Sequence, residues 1–319
     1  MHRYREMPKQ REMKEGVPET KVVLHFLRHE EGEPEREGLR NQDRELLPEA
    51  RVRALERGKE RVTHPEVSWA AGSERIRSAH TALLRMMSGK AAVTSEMTFE
   101  EATAEVQREL KELGGSKAKE EKKVGIRPEL DYYFEGTPEF KKQSADRYKD
   151  GHGLEFFLED SDTLARELHD RDSLSYSRCA ANYTSLIAKY MDAGYAFNTV
   201  VKDNPEKYKT YENTMERFFG GHQIVGECFY MKVLEKLHGR DKARQFIRSF
   251  GDEAKAGNGF GFQEGFSVTI TNGSSGQKIM LEGIHGFPDI ELTPVLLRDI
   301  IADAKQLDMQ TAGEAEASH

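Results

Sequence analysis

The stretch KVVLHFLRHEE, residues 21–31, indicates the fold more clearly than any other part of the sequence. Its run of valine, leucine and phenylalanine is short and nearly continuous, which is typical of a strand buried on both faces of a parallel sheet. The run ends at Arg28 and His29. Because open α/β sheets bind their ligands at the carboxyl ends of their strands, this dipeptide predicts a functional site at the edge of a sheet.

Two later stretches repeat the design of apolar strand, small-residue turn and helix. They are VSWAAGSERIRSAHTALLRMMSGK (residues 67–90) and MERFFGGHQIVGECFYMKVLEKLHG (residues 215–239). DRELLPEARVRALERGKERV (residues 43–62) has the apolar spacing of a helix that follows the first strand. Alternation of strands and helices predicts an α/β fold, and we expect a three-layer α/β/α sandwich with a mostly parallel central sheet and a helical insertion.

The remaining segments predict the domain organisation. We expect a mobile tail over 1–20, one domain over 21–310 with a cap-like insertion at about 95–175, and a second tail over 311–319. FSVTITNGSSGQKIMLEGI (residues 266–284) predicts two strands around a turn, and LTPVLLRDIIADAKQL (residues 292–307) predicts a capped amphipathic helix. GNGFGFQEG (residues 257–265) lacks the lysine and the strand-turn-helix context of a phosphate-binding loop, so we expect an ordinary loop.

Composition excludes several classes of function. The 319 residues carry a net charge of −8 from many charges of both signs, without the basic stripe typical of nucleic-acid binding. No apolar run approaches the ~20 residues of a membrane span, and the first residues do not resemble a secretory signal, so we expect a cytoplasmic protein without membrane partners. Two cysteines form neither a disulfide framework nor a zinc cluster, and we expect no metal and no cofactor. The oligomeric state is not indicated.

Three predicted strand-to-helix junctions bear histidine or arginine: Arg28-His29, Arg77 and His222. In a parallel sheet these junctions lie on one edge and converge. Arginine offers a rigid fork of donors for phosphoryl oxygens, and a neutral imidazole is able to attack phosphorus and form a covalent intermediate. The constellation therefore predicts phosphoryl transfer.

At these positions the sequence resembles the histidine phosphatase superfamily, which includes cofactor-dependent phosphoglycerate mutases. The family's Leu-Arg-His-Gly-Glu signature is matched by LRHEE (residues 27–31), and LLPEAR (residues 46–51) is similar to the start of its next helix. SERIRSAHTA (residues 73–82) matches the second signature, and HQIV (residues 222–225) the late one. The resemblance spans roughly 21–285 and is weak from about 95 to 210.

The resemblance implies that His29 is the nucleophile and that Arg28, Arg77 and His222 hold the phosphoryl oxygens. His285 is the alternative to His222, because the family's late histidine precedes glycine, as His285 does. Where the family has glycine after the first histidine, this chain has Glu30. We expect a carboxylate there to narrow the pocket or to weaken anion binding.

A general acid must protonate the leaving oxygen, which requires a carboxyl group in a partly closed pocket. In the family this group usually comes from a loop after the second signature. PELDYYFEG (residues 128–136) is the local match, and it offers Asp131, with Glu129 and Glu135 as alternatives.

We therefore expect a phosphomonoester hydrolase whose substrate is a phosphorylated small molecule or a phosphoprotein. Hydrolysis is favoured over mutase activity because the region that matches a mutase lid is so different. Three alternatives remain: a weak or inactive relative that binds a phosphorylated ligand or a protein partner, a phosphoglycerate mutase-like phosphotransferase, and an unrelated α/β interaction protein.

Overall fold

The structure is a computed structural model that describes residues 4–8, 18–59, 64, 67–87, 93–114, 124–132, 136–251 and 259–313. Its strands are β1 (Thr20–Arg28), β2 (Trp69–Gly72), β3 (Val124–Ile126), β4 (Thr214–Gly221), β5 (Gly265–Gly273), β6 (Gly276–Leu281) and β7 (Ile290–Glu291). Its α-helices are α1 (Pro48–Gly58), α2 (Ile76–Met87), α3 (Phe99–Gly114), α4 (Pro138–Lys149), α5 (Gly153–Glu159), α6 (Ser161–Glu167), α7 (Tyr176–Asp203), α8 (Pro205–Lys209), α9 (Val225–His238), α10 (Arg240–Arg248) and α11 (Pro294–Gly313).

Within this described part, the strands form one sheet in the order β3-β2-β4-β1-β5-β6-β7. The first four are mutually parallel, and each pair that follows β1 is antiparallel. The predicted α/β fold is confirmed. The prediction of a mostly parallel sheet holds only for β3, β2, β4 and β1. β5 pairs antiparallel with β1, and the short turn that follows it places β6 antiparallel to β5.

Helices cover both faces of the sheet and make it the middle of three layers. On β4, Phe219 packs into the larger core with α7 and α9, while Phe218 points to the opposite face and packs with α1 and α2. On β1, Leu24 and Phe26 are buried in the larger core. This two-sided burial explains why the strand sequences are nearly continuous in apolar residues.

Two glycines allow α2 to approach the carboxyl ends of β2 and β4 closely. A Cβ atom at Gly72 would lie 2.1 Å from the backbone nitrogen of Ala79, and one at Gly220 would lie 1.9 Å from the carbonyl oxygen of Ser78. Any side chain at either position would push α2 away from the sheet. The glycines therefore bring the first turn of α2, with Arg77, onto the strand ends.

The other segments follow the sequence in part. The predicted hairpin and the C-terminal helix are present, and Thr293 caps that helix by accepting a hydrogen bond from the Leu296 amide (3.1 Å). The region of the expected insertion holds α3 to α6 and also β3, which extends the sheet beside β2. Part of the predicted N-terminal tail is packed: Arg5 pairs with Asp192 (2.8 Å) on α7. Among the described helices, none combines the length and apolarity that a membrane span needs.

Candidate active site

The parallel pairing of β1 with β4 brings two histidines together at the sheet edge. Arg28 lies opposite Gly221, and the amide of His29 donates to the carbonyl of Gly221 (3.0 Å). His222 directly follows the last residue of β4. The centre of its ring lies 4.8 Å from the centre of the His29 ring, and the two rings meet nearly edge-on. This register is the physical reason that residues 193 positions apart in the sequence meet.

His29 is held in one tautomer. Its Nδ1 lies 2.5 Å from the carbonyl oxygen of Glu30, so Nδ1 carries the proton and donates it. Nε2 is then unprotonated, and it accepts a hydrogen bond from Nε of Arg77 (3.3 Å). Burial, followed by the neighbouring His222 and Arg77, holds the pKa of His29 well below its ordinary value. The ring is therefore neutral, with a lone pair on Nε2.

His222 is oriented by polar groups around its Nε2. Ser73 Oγ lies at 2.8 Å and Asp131 Oδ1 at 3.3 Å. Burial lowers the pKa of His222 to about 4, although the hydrogen bond with Asp131 opposes that shift. His222 is thus neutral at pH 7, and its contact with Asp131 is a hydrogen bond of the neutral ring rather than an ion pair.

Two arginines supply positive charge without a carboxylate partner in the described chain. Arg28 donates from Nη1 to the carbonyl of Phe260 (2.5 Å), and its guanidinium lies 4.5 Å from the ring centre of Phe262. Arg77 donates to His29 and to the carbonyl of Asn41 (2.8 Å). Burial lowers the pKa of Arg77 to about 10 and lowers that of Arg28, yet both remain charged at neutral pH. This unpaired charge suits an anionic ligand.

These side chains line a cavity of about 890 Å³. Its remaining walls include aromatic rings (Tyr132, Tyr148, Phe262), cations (Arg44, Arg75, Lys149) and carboxylates (Glu31, Glu35). The cavity is far larger than a phosphate group needs, so it has room for the rest of a phosphorylated molecule. No group of three or more histidine, cysteine or acidic side chains suited to a metal ion occurs in the described ranges.

Glu30 does not lie where the sequence led us to expect. Its carboxylate is buried, lies outside the cavity lining and pairs with Arg53 (2.8 Å) and with the amide of Gln263 (2.5 Å). The expected narrowing of the pocket by this residue is therefore wrong, because the side chain turns away from the cavity and into a set of charged and polar partners.

The candidate acids differ in position. Asp131 contacts His222 and Arg75 (3.2 Å), and it does not line the cavity. Burial would raise the pKa of Asp131, but the hydrogen bond with His222 and the charge of Arg75 outweigh it and lower that pKa. Glu129 has one carboxylate oxygen buried without a partner and also lies outside the lining. Glu135 lies outside the described residues.

The structure also separates the two late histidines. His222 lines the cavity, whereas His285 lies beyond β6, with its ring 4.5 Å from that of Phe250. His285 has a positive φ of 50° and is exposed on a loop. Of the two, His222 is the one beside His29.

The sequence did not reveal the contribution of residues 259–264, hereafter the 259–264 segment. Phe262 lines the cavity, Phe260 accepts the hydrogen bond of Arg28, and Gln263 contacts Glu30. The segment leads directly into β5. Because β5 runs antiparallel to β1, the first residue of β5 lies at the carboxyl end of β1, and the segment is brought to the same edge of the sheet. Only the pairing of these strands could have indicated this, because the segment has no motif of its own.

No protein-family model matches the chain, and no curated protein matches it. Solved structures do. One described as mycobacterial hydrolase 1 has 16% identity and a TM-score of 0.38, over 85% of this chain and 100% of that chain. A mycobacterial glucosyl-3-phosphoglycerate phosphatase in complex with inorganic phosphate has 14% identity and a TM-score of 0.36, over 82% and 95%. A phosphoglycerate mutase from Bacillus anthracis str. Sterne has 14% identity and a TM-score of 0.33, over 88% and 97%.

Proposed function

We propose that this chain is a histidine phosphatase-like enzyme that hydrolyses phosphomonoesters through a phosphohistidine on His29. One observation carries the proposal: His29 presents an unprotonated Nε2 to Arg77 in a cavity that also holds Arg28 and His222. A nucleophile for phosphorus needs a free lone pair, and a transferred phosphoryl group needs positive donors around its oxygens. The site offers both.

The geometry supports a two-step reaction. The phosphoryl group binds to Arg28 and Arg77, and Arg77 turns its guanidinium from Nε2 of His29 to the phosphoryl oxygens. Nε2 then attacks phosphorus, the bond to the leaving oxygen breaks with its electron pair, and the leaving oxygen takes a proton from solvent water. In the second step a water molecule attacks the phosphohistidine, its proton returns to the solvent, and the bond from phosphorus to Nε2 breaks, which restores neutral His29 and releases inorganic phosphate.

Asp131 supports this reaction through His222. Its lowered pKa is opposite to what a general acid needs at neutral pH, and it touches the ring of His222 rather than the cavity. We therefore favour a role in which Asp131 orients His222 over the expected role as the proton donor.

The size and lining of the cavity support a substrate with a bulky leaving group. Tyr132, Tyr148 and Phe262 offer flat apolar surface next to the cationic end. A small phosphorylated molecule and a phosphorylated side chain of a protein both satisfy these features.

The test is turnover of p-nitrophenyl phosphate by the wild type, His29→Ala and a control, His152→Ala, in which an exposed histidine outside the cavity is removed. We expect His29→Ala to lose about 10³-fold or more in kcat, because no other group takes the role of nucleophile, while His152→Ala matches the wild type. Equal activity of His29→Ala and the wild type would overturn the proposal.

The covalent intermediate is tested separately by trapping labelled phosphoenzyme. We expect an acid-labile, alkali-stable label in the wild type and none in His29→Ala. A wild type that binds phosphate without turnover or labelling would instead identify an inactive ligand-binding relative. Transfer of the label to a second hydroxyl of the substrate rather than to water would identify a mutase.

A further inference from the structure

We infer that the side chain of Glu30 is a positioning residue, which fixes the tautomer and orientation of His29 through the peptide group between residues 30 and 31. The inference rests on the proposed role of His29 as nucleophile. It assigns a purpose to the position at which this chain departs from the glycine of the family it resembles.

The first step is the anchoring of the carboxylate. Glu30 is only 2% exposed, and Arg53 on α1 donates to it from Nη2 (2.8 Å) and Nε (3.2 Å). Gln263 donates from its side-chain amide at 2.5 Å. These charged and neutral donors hold the carboxylate firmly. If any of them were lost, part of a buried charge would have neither a hydrogen-bond partner nor water. Its position is set by two elements far apart in the sequence.

The second step couples the carboxylate to His29. The amide of Glu31 donates to Oε2 of Glu30 (3.2 Å), and the carbonyl of Glu30 accepts the Nδ1 proton of His29 (2.5 Å). This amide and this carbonyl belong to the same planar peptide group. A carboxylate that holds the amide end therefore also fixes the direction of the carbonyl. The carbonyl in turn keeps the proton on Nδ1 and leaves Nε2 free.

The third step extends the same contact to Arg28. Gln263 has a left-handed backbone, with φ of 60°, which is unfavourable for a residue with a side chain. Its backbone amide donates to the carbonyl of Arg28 (3.0 Å), while its side-chain amide donates to the carboxylate of Glu30. Glu30 thereby joins α1, the nucleophile and the 259–264 segment in one set of contacts. Strained backbone of this kind persists where the surroundings hold it in place.

The experiment compares Glu30→Gly, Glu30→Gln and Arg53→Met with the wild type. Arg53 is partly exposed, so Arg53→Met releases the carboxylate even if Glu30→Gly does not fold. Glu49→Gln is the matched control, because it removes one carboxylate from an exposed position of α1, one turn before Arg53. We expect Glu49→Gln to behave as the wild type in every measurement.

With p-nitrophenyl phosphate we expect kcat of Glu30→Gly to fall about 10²-fold, because small errors in the position of a nucleophile have effects of that size. KM should change by less than about threefold, since Arg28 and Arg77 still bind the phosphate. The kcat of Glu30→Gln should fall less than that of Glu30→Gly, because the amide oxygen of glutamine still accepts hydrogen bonds. The kcat of Arg53→Met should also fall.

Nitrogen NMR of ¹⁵N-labelled histidine gives a readout that a merely structural role would not move. The His29 signals are identified by their loss in His29→Ala. In the wild type we expect a protonated Nδ1 and an unprotonated Nε2, and in Glu30→Gly and Arg53→Met a mixture of the two neutral tautomers.

The outcomes separate the inference from the proposed function. An unchanged His29 spectrum and an unchanged kcat in folded Glu30→Gly and Arg53→Met, with or without a lower melting temperature, would overturn the inference. Activity retained in His29→Ala would overturn the proposed function instead, and the tautomer measurement would still report on Glu30.

Discussion

Two segments meet at the same sheet edge and differ in almost every other respect: residues 28–32, the nucleophile loop, and the 259–264 segment. The nucleophile loop contributes Arg28 and His29, whose residue types already suggest their chemistry. The 259–264 segment contributes a backbone carbonyl, an aromatic ring and an amide side chain, which contact Arg28 and Glu30. The first segment supplies reactive groups, and the second determines where they lie.

The difference shows that reactive residues restrict the sequence more than the residues that position them. Reactive groups need particular side chains, so they leave a trace in the sequence. Support needs only a donor, an acceptor or a surface at the correct place, and many residue types meet that need. The following predictions test the division between the two roles, beginning with the largest expected effect.

The strand-end cluster around His222 is tested by Asp131→Asn. We expect kcat to fall about 10³-fold with both p-nitrophenyl phosphate and phenyl phosphate, because a carboxylate only accepts hydrogen bonds and keeps the proton on Nε2 of His222, whereas an amide is also able to donate to that nitrogen and so permits the other tautomer. A general acid would produce a different result. Protonation matters much more for phenolate than for p-nitrophenolate, so a loss confined to phenyl phosphate would show that Asp131 is the acid. Initial-rate kinetics with the two substrates measures the distinction.

The support of the 259–264 segment is tested by Glu227→Gln. Glu227 on α9 is fully buried and accepts a hydrogen bond from the amide of Phe260 (2.7 Å). Burial raises the pKa of Glu227 from 4.5 to about 7. Between those two values the folded protein keeps the proton that the unfolded chain has released. The stabilising contribution is therefore complete below pH 4.5 and is lost as pH rises through 7.

Glutamine keeps an acceptor for Phe260 and cannot ionise. When pH rises from 4.5 to 8, we expect the wild type to lose on the order of 3 kcal/mol more of its free energy of unfolding than Glu227→Gln loses. Denaturant unfolding at both pH values, with Glu49→Gln as the control for removal of a carboxylate, measures this difference. An equal pH dependence in Glu227→Gln and the wild type would show that Glu227 is ionised in the folded protein.

The smallest effect is expected for Gln263→Gly, which separates backbone strain from side-chain support. Glycine adopts the φ of 60° without penalty, which offsets part of the stability lost with the hydrogen bond to the buried carboxylate of Glu30, so the free energy of unfolding should fall by about 1–3 kcal/mol. The hydrogen bond to Glu30 is lost, and we expect kcat to fall about tenfold. An unchanged kcat would mean that this segment closes the cavity without positioning the nucleophile, and stopped-flow and steady-state measurements would both reveal it.

The sequence alone predicted much of the fold and the core of the site. The α/β class followed from alternating apolar runs and helices, and the chemistry was suggested by Arg28, His29 and Arg77. The choice of His222 over His285 depended on the order of elements, and the two lie far apart in the structure. The hairpin of β5 and β6 was predicted, but the antiparallel pairing of β5 with β1 was missed, because strand direction depends on pairing across the sheet, which local sequence does not record.

What the sequence determined is local: the end of β1 at an arginine and a histidine, the small-residue turns that precede α2 and α9, and the ends of the helices. These depend on residues within a few positions of one another. The tertiary structure alone decided that Glu30 turns away from the cavity and that a distant segment holds it. The reason is that the direction of a side chain is set by its partners, and here the partners are Arg53 and Gln263, the latter 233 positions along the chain.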